Sequence, residues 1–287
     1  MADIPGPQPT PIPSLKLNDG TSMPMLAYGT GTAWYKTGDE ARVDTAVVDA
    51  VKTAIRLGFR HLDGAEMYKT ETELGIAIQE SGVAREELTQ ALRTSLKKLR
   101  VDYVDLYLIH SPFWAQTPTD LQTAWSTMEN LKHLGLTKSI GVSNFLPAHL
   151  STILQTARIP PACNQIEFHP YLQHPDLLAL HKAHAIATVA YAPLTAATKA
   201  KPGPADGILK ALAKKYGVSE AEVSLRWCID QDVVAVTTSG KEQRLSDYLR
   251  VARFKLTPRE VDEVNEAGRG RHFRGFWTRM FDGNDRT

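Results

Sequence analysis

The sequence predicts an α/β fold, a (β/α)8 TIM barrel made of one domain. Three observations predict it. Short, nearly continuous apolar runs recur along the chain. Stretches with apolar residues at i, i+3 and i+4 lie between most of them, an alternation that puts parallel strands inside a layer of helices. The runs are spread over the whole chain without a linker-like gap, and its 287 residues suit a single barrel, which takes roughly 250.

The elements are expected in this order. Residues 1–14 form a proline-rich arm, extended because proline fixes φ and lacks an N–H. Residues 15–287 form the barrel domain. Its strands are expected at Pro24–Gly29, Phe59–Asp63, Val104–His110, Ser139–Ser143, Asn164–Phe168, Ala187–Ala192 and Val233–Thr237. Helical spacing marks Leu121–Leu134, Pro147–Gln155, Pro175–His184 and Gly207–Tyr216.

One place breaks the rhythm. After Asp63 comes a helix-like stretch, Glu71–Ser81. A second follows at Arg85–Arg100, carrying Leu88, Leu92, Leu96 and Leu99. Only Gly82, Val83 and Ala84 separate them, with no β-rich run. This unit therefore reads strand, helix, helix, strand.

Composition narrows the function. Lys and Arg number 33 against 32 Asp and Glu, a net charge of +1, so no broad basic field exists to hold nucleic acid. Hydrophobic residues at 43% and charged residues at 23% suit a soluble globular chain. No apolar run approaches the roughly 18 residues that span a bilayer. The first 14 residues lack the apolar stretch of a signal peptide, and the expected location is cytoplasmic. Cys163 and Cys228 give neither a disulfide framework nor a zinc cluster, and read as buried free thiols.

In a βα barrel, chemistry sits at the C-terminal ends of the strands. The polar residues there are Asp63 with Glu66 and Tyr68, His110, Ser143 and Asn144, Asn164 and Gln165, Tyr191, and Thr237, Thr238 and Ser239. A tyrosine, a histidine and an aspartate at one mouth suit proton transfer. The amides of Asn144 and Gln165 suit recognition of a carboxamide, and Tyr191 offers a face for an aromatic ring. Each also has a plainer reading: Asp63 and Asn144 could be helix caps, and His110 a core histidine.

His181 and His184 share a helix, but no third ligand is suggested, so no metal is expected. No G-x-G-x-x-G or P-loop pattern is present. A phosphate would instead fall to Thr237–Arg244, where small hydroxyl residues and Gly240 leave backbone amides open and Lys241 and Arg244 add charge.

The sequence resembles the aldo-keto reductases over nearly its whole length. The resemblance is carried by Gly58–Ala65 with Tyr68 and Glu71, by Ser95–Leu99, and by Asp102–His110. Ile140–Phe145 and Asn164-Gln165-Ile166-Glu167 continue it in the right order. The segment from Thr237 to Arg244 and the run His110–Phe113 are most similar to fungal conjugated polyketone and ketolactone reductases.

The resemblance implies an NADPH-dependent carbonyl reductase of fungal secondary metabolism, acting as a monomer on a small-molecule carbonyl compound. Tyr68 would be the general acid, His110 would orient and polarise the carbonyl, and Asp63 would hold a lysine that lowers the tyrosine pKa. Ser143, Asn144 and Gln165 would hold the nicotinamide amide, and Tyr191 would stack on its ring. Thr238, Ser239, Lys241 and Arg244 would lie along the adenosine phosphate. A C-terminal substrate loop, residues 268–287, would close the pocket. Trp34, Phe113, Trp114 and Trp277, with Phe273, Phe276 and Phe281, would line it, which suits a bulky apolar ketone. The basic tail residues Arg269, Arg271, Arg274 and Arg279 would instead suit an acidic or lactone substrate.

The chain departs from the family at the place where the rhythm breaks. Leu88 runs straight into Thr89, so the third barrel strand and the catalytic lysine at its end are absent. Tyr68 is then expected to keep a pKa near its ordinary value of about 10. Asp63 is expected to lack a cationic partner. The alternative function is accordingly a catalytically impaired NADPH-binding or interaction protein, or a mis-spliced isoform.

Overall fold

Among the described residues seven parallel strands lie side by side in one curled sheet, with helices outside it. The computed structural model describes residues 11–81, 90–281 and 285. The strands are β3 (Leu26–Gly29), β4 (Leu62–Asp63), β5 (Val104–Ile109), β6 (Thr137–Ser143), β7 (Cys163–Glu167), β8 (Ala187–Tyr191) and β9 (Val233–Thr237). Their order across the sheet is β4-β3-β9-β8-β7-β6-β5. The last strand returns to the first, with Tyr28 beside Thr237, so the barrel closes there. Its opening lies between β4 and β5, consecutive in the chain but at opposite edges of the sheet.

That opening is where the sequence rhythm broke. Among the described residues no strand lies between Asp63 and Val104. Two helices fill the interval, α2 (Glu71–Glu80) and α3 (Gln90–Leu99). They touch closely: a Cβ added at Gly75 would stand 2.5 Å from the Lys98 carbonyl oxygen. Leu92 and Leu96 of α3 are buried with Leu136, against Val104 and Tyr107 of β5. The two edge strands are only half-buried for most of their length, whereas every residue of β7 and β9 is buried. The third-strand gap is thus backed by a helix pair.

Several expected boundaries shift. The first strand splits into β2 (Ser22–Pro24) and β3, and the Phe59–Asp63 run contributes only Leu62–Asp63 to the sheet. Of the expected Arg85–Arg100 helix, residues 85–89 lie outside the described residues, as does the 82–84 turn. Residues 1–10 of the arm lie outside them too. The arm ends earlier than expected, because Ser14 already begins β1 (Ser14–Lys16), which pairs antiparallel with β2.

This hairpin was not legible in the sequence. It is stitched across the N-terminal side of the barrel. Asn18 donates to the Pro161 carbonyl at 2.8 Å. Asp19 accepts from Ser139 and from Lys132, each at 2.7 Å. Burial alone would raise the Asp19 pKa, but the Lys132 ion pair and the Thr21 and Ser139 hydrogen bonds overcome it and hold the carboxyl at about 2.

The remaining helices begin with ordinary caps. Thr117 with Asp120, Ser219 with Glu222 and Thr257 with Glu260 each make a reciprocal capping box, on α4 (Pro118–His133), α8 (Glu220–Ile229) and α10 (Pro258–Arg269). α1 (Thr45–Leu57) ends on Gly58 at φ +115, a left-handed stop that favours glycine. α5 (Pro147–Leu154), α6 (Pro175–Ala183) and α7 (Asp206–Tyr216) fall where helical spacing put them, and α9 (Glu242–Tyr248) follows β9. Between sheet and helices lies the core, where Phe168 stacks on Trp227 with ring centroids 5.0 Å apart. Among the described residues no helix is long and apolar enough to cross a membrane.

Candidate active site

The expected polar residues do meet at the C-terminal ends of the strands. Asp63 is the last residue of β4, and the chain then makes a single 3-10 turn, Glu66–Tyr68. Lys69 ends that turn at φ +57. The turn brings Tyr68 edge-on to His110, which follows β5, with ring centroids 5.9 Å apart. Gly31 borders the Tyr68 ring so closely that a Cβ there would lie 3.0 Å from Cζ and press the ring aside by a few tenths of an ångström.

The electrostatics differ from expectation. The Tyr68 pKa does not stay at its ordinary value. Burial pushes it well above, and the Asp63 carboxylate adds to the rise. Burial also lowers the His110 pKa, opposed by Asp63. Asp63 itself is half-buried and its pKa is raised by desolvation, with His61 and the Gln165 hydrogen bond opposing. Among the described residues no ion pair reaches Asp63. Its side-chain partner is neutral: Gln165 Nε2 donates to Oδ1 at 3.2 Å. Lys36 pairs instead with Glu73 at 2.8 Å, and Lys98 with Glu40 at 2.6 Å and Glu71 at 3.4 Å.

A second group continues around the mouth. The Tyr191 hydroxyl donates to Asn144 Oδ1 at 2.8 Å. Asn144 Nδ2 in turn donates to the His110 carbonyl at 2.9 Å and lies 3.0 Å from Ser143 Oγ. Ser143 Oγ donates to the Gln165 carbonyl at 2.8 Å. Asn144 holds φ +61, a left-handed conformation that asparagine tolerates better than most residues. It is not a helix cap; Leu146 occupies that position on α5. The network thus fixes the side chains expected to grip a carboxamide.

On the other flank, Thr238, Ser239 and Lys241 follow β9. The Lys241 amide donates to Ser239 Oγ at 3.0 Å, so that amide is taken internally. Lys241 and Arg244 are exposed. Trp34 borders this loop, its ring about to meet any Cβ at Gly240 at 3.2 Å. Burial raises the pKa of Tyr28, and Thr238 and Trp34 beside it oppose that rise.

An aldo/keto reductase family model matches residues 27–269. The chain belongs to the aldo/keto reductase family. It is 35% identical to an NAD/NADP-dependent indole-3-acetaldehyde reductase of Schizosaccharomyces pombe, covering 91% of this chain and 97% of that protein. It is 37% identical to an NADPH-dependent alpha-keto amide reductase of Saccharomyces cerevisiae, covering 92% and 94%. That second match runs over 294 positions, more than the 287 residues of this chain, so the yeast enzyme has residues that this one lacks. Among solved structures, a Bombyx mori aldo-keto reductase in complex with NADP matches with TM-score 0.78 at 33% identity, covering 90% of this chain and 93% of that one.

In this member of the family the mouth is roofed by aromatic residues of the tail. Trp277 lies over His110 at 6.3 Å and against Phe113 at 5.1 Å. Phe281 meets Phe113 at 5.7 Å, and Phe276 stands edge-on to Tyr191 at 5.3 Å. Trp114 points differently and is 51% exposed. Of the expected substrate loop 268–287, residues 282–284 and 286–287 lie outside the described residues.

Of the other sequence candidates, His181 and the two cysteines behave as core. His181 is buried between Asn164, at 3.0 Å, and Thr188, at 2.9 Å, while His184 is exposed. Both cysteines are buried and free, and burial pushes the Cys163 thiol up to about 12. Among the described residues no group of His, Cys, Asp or Glu could hold a metal ion.

Sequence reasoning missed two features. The Gln165–Asp63 hydrogen bond is one. The other is Glu167, which is 2% exposed at the end of β7 yet accepts hydrogen bonds from the tail. A signal existed for the direction of Glu167, though not for its partners or for the Gln165–Asp63 bond. Residues two apart share a strand face, so Glu167 had to point the same way as Gln165.

Proposed function

We propose that this chain is an NADPH-dependent carbonyl reductase that turns a bulky apolar ketone into an alcohol. The observation that carries the reading is the pairing of Tyr68 with His110 at 5.9 Å at the mouth of the barrel. Two yeast relatives whose names give NAD/NADP or NADPH dependence support the cofactor.

The residues present fit that cofactor. Ser143, Asn144 and Gln165 combine hydroxyl and amide groups, the donors and acceptors that a carboxamide needs. Tyr191 would lie under the nicotinamide ring. Thr238, Ser239, Lys241 and Arg244 would follow the adenosine phosphate, the two cations favouring the extra phosphate of NADPH. When bound, NADPH would supply the hydride that the carbonyl carbon accepts.

The chain's own residues supply the rest. Tyr68 Oη donates its proton to the carbonyl oxygen as negative charge develops there. His110 orients and polarises that oxygen. Trp277 and Phe113 exclude water from the mouth, which strengthens both interactions. The raised Tyr68 pKa keeps the phenol protonated at neutral pH but makes it a reluctant donor, so turnover is slow rather than absent. The partner is a small carbonyl compound, with no nucleic acid or membrane, met by a single chain in the cytoplasm. A role in fungal secondary metabolism fits the size of the expected ketone.

The test is NADPH consumption by purified protein against a panel of aromatic and aliphatic ketones and aldehydes. A second reading, a cofactor-binding protein without turnover, is favoured by the absence of any ion pair to Asp63 among the described residues. It predicts saturable NADPH binding with no consumption on any member of the panel.

A further inference from the structure

We propose that Glu167 is a positioning residue that latches the C-terminal tail over the barrel mouth and thereby sets which ketones fit. The inference rests on the reductase reading for its substrate part only.

Glu167 ends β7 with its side chain inside the barrel wall, 2% exposed. A buried carboxylate there is costly unless several donors meet it. The donors are mostly from the tail. Oε1 accepts from the Gly275 amide at 2.8 Å, and Oε2 accepts from the Phe276 amide at 3.0 Å. His169 Nε2 lies 3.2 Å from Oε1. The two amides are adjacent, so one carboxylate grips two successive peptide units, one with each oxygen. Arg274, the preceding residue, is in range of the same charge.

The residues just beyond the gripped peptide form the roof of the site. Phe276 stands against Tyr191, and Trp277 lies over His110 and Phe113. Trp277 holds φ +56, a left-handed conformation that a bulky residue keeps only when its surroundings hold it there. The Met280 amide closes the next turn on the Trp277 carbonyl at 2.8 Å. Glu167 touches none of the reacting groups. It acts through the tail, and its loss would widen the mouth without altering Tyr68 or His110.

The test uses two variants of the full chain and two readouts. Glu167→Gln keeps the shape but replaces one acceptor oxygen with a donor. Gly275→Val leaves the barrel untouched and crowds the latch from the exposed tail, since even a Cβ there lies 3.2 Å from Glu167 Oε1. The first readout is trypsin cleavage after the half-buried Arg274, followed by mass spectrometry on folded protein. Each variant is expected to be cut about tenfold faster, the effect of losing a charge-assisted hydrogen bond. The second is steady-state kinetics with a bulky aromatic ketone and a small aliphatic aldehyde. KM for the ketone should rise about tenfold, with kcat/KM for the aldehyde and NADPH affinity unchanged within about twofold.

Unchanged cleavage after Arg274 in both variants overturns the latch. Faster cleavage with an unchanged ketone-to-aldehyde ratio overturns its role in substrate choice. If no carbonyl compound makes the wild-type protein consume NADPH, the reductase reading fails, and the latch still stands or falls on the cleavage rate. Should Glu167→Gln lose its cooperative thermal transition, Gly275→Val decides alone.

Discussion

Gly75→Ala tests how the shortened unit is closed. Gly75 lies within α2, where alanine would ordinarily be the better helix former by about 1 kcal/mol. Here the added Cβ would stand 2.5 Å from the Lys98 carbonyl oxygen and 2.7 Å from the Leu99 backbone. These are backbone atoms of α3, which cannot swing aside as a flexible side chain can. The helices must part by most of an ångström to restore ordinary contact. Overpacking costs about 1–3 kcal/mol, contacts this short with backbone put it at about 2–3, and subtracting the helix gain of about 1 leaves a net loss of about 1–2 kcal/mol. That corresponds to a fall in Tm of roughly 2–6 °C for a domain of this size. Gly207→Ala is the control. Gly207 sits in α7 with nothing within 4 Å of its added Cβ, so Tm should hold or rise by about 1 °C. Differential scanning calorimetry on the two variants reads both. Equal or higher Tm in both would refute the reasoning, because α2 would then not press on α3.

The same structure fixes other outcomes. Asp19, held at about 2 in the folded chain, contributes stability above its ordinary value that is lost as pH falls through about 2. Asp19→Asn should therefore cost about 1–2 kcal/mol at pH 7 and flatten the acid limb of a urea-unfolding series. Asp63 has the opposite sign. Its raised pKa means that its unfavourable contribution grows as pH rises through that value. Asp63→Asn should be more stable than wild type at neutral pH, with most of its activity retained; a loss of stability there would show that Asp63 has a cationic partner. Arg244→Ala should raise KM for NADPH by about tenfold while leaving KM for NADH nearly unchanged, measured by steady-state kinetics with each cofactor.

The strands were legible because a parallel sheet buried on both faces needs continuous apolar runs, and β5 through β9 fall within two residues of where those runs lie. The placement of the candidate site residues followed from them, since strand ends converge in a barrel whatever the loops do. The break after Asp63 was legible by the same logic. The β1–β2 hairpin was not, because Leu15 and Met23 are too few to make a periodic signal. Tyr68 acidity was misjudged because burial dominates it, and burial depends on how Gly31, Tyr35 and His110 close around the ring. Glu167 was hidden because its partners are backbone amides more than a hundred residues away, which leave no mark in the sequence.

The measurement that tests the account most directly is NADPH consumption with a bulky aromatic ketone, by wild type and by Tyr68→Phe. The variant keeps the ring that packs on His110 and removes only the hydroxyl. The account predicts ketone-dependent consumption in the wild type that falls roughly a hundredfold or more in the variant, with NADPH affinity unchanged. Equal rates in the two proteins, or bound NADPH that no carbonyl compound consumes, would contradict it.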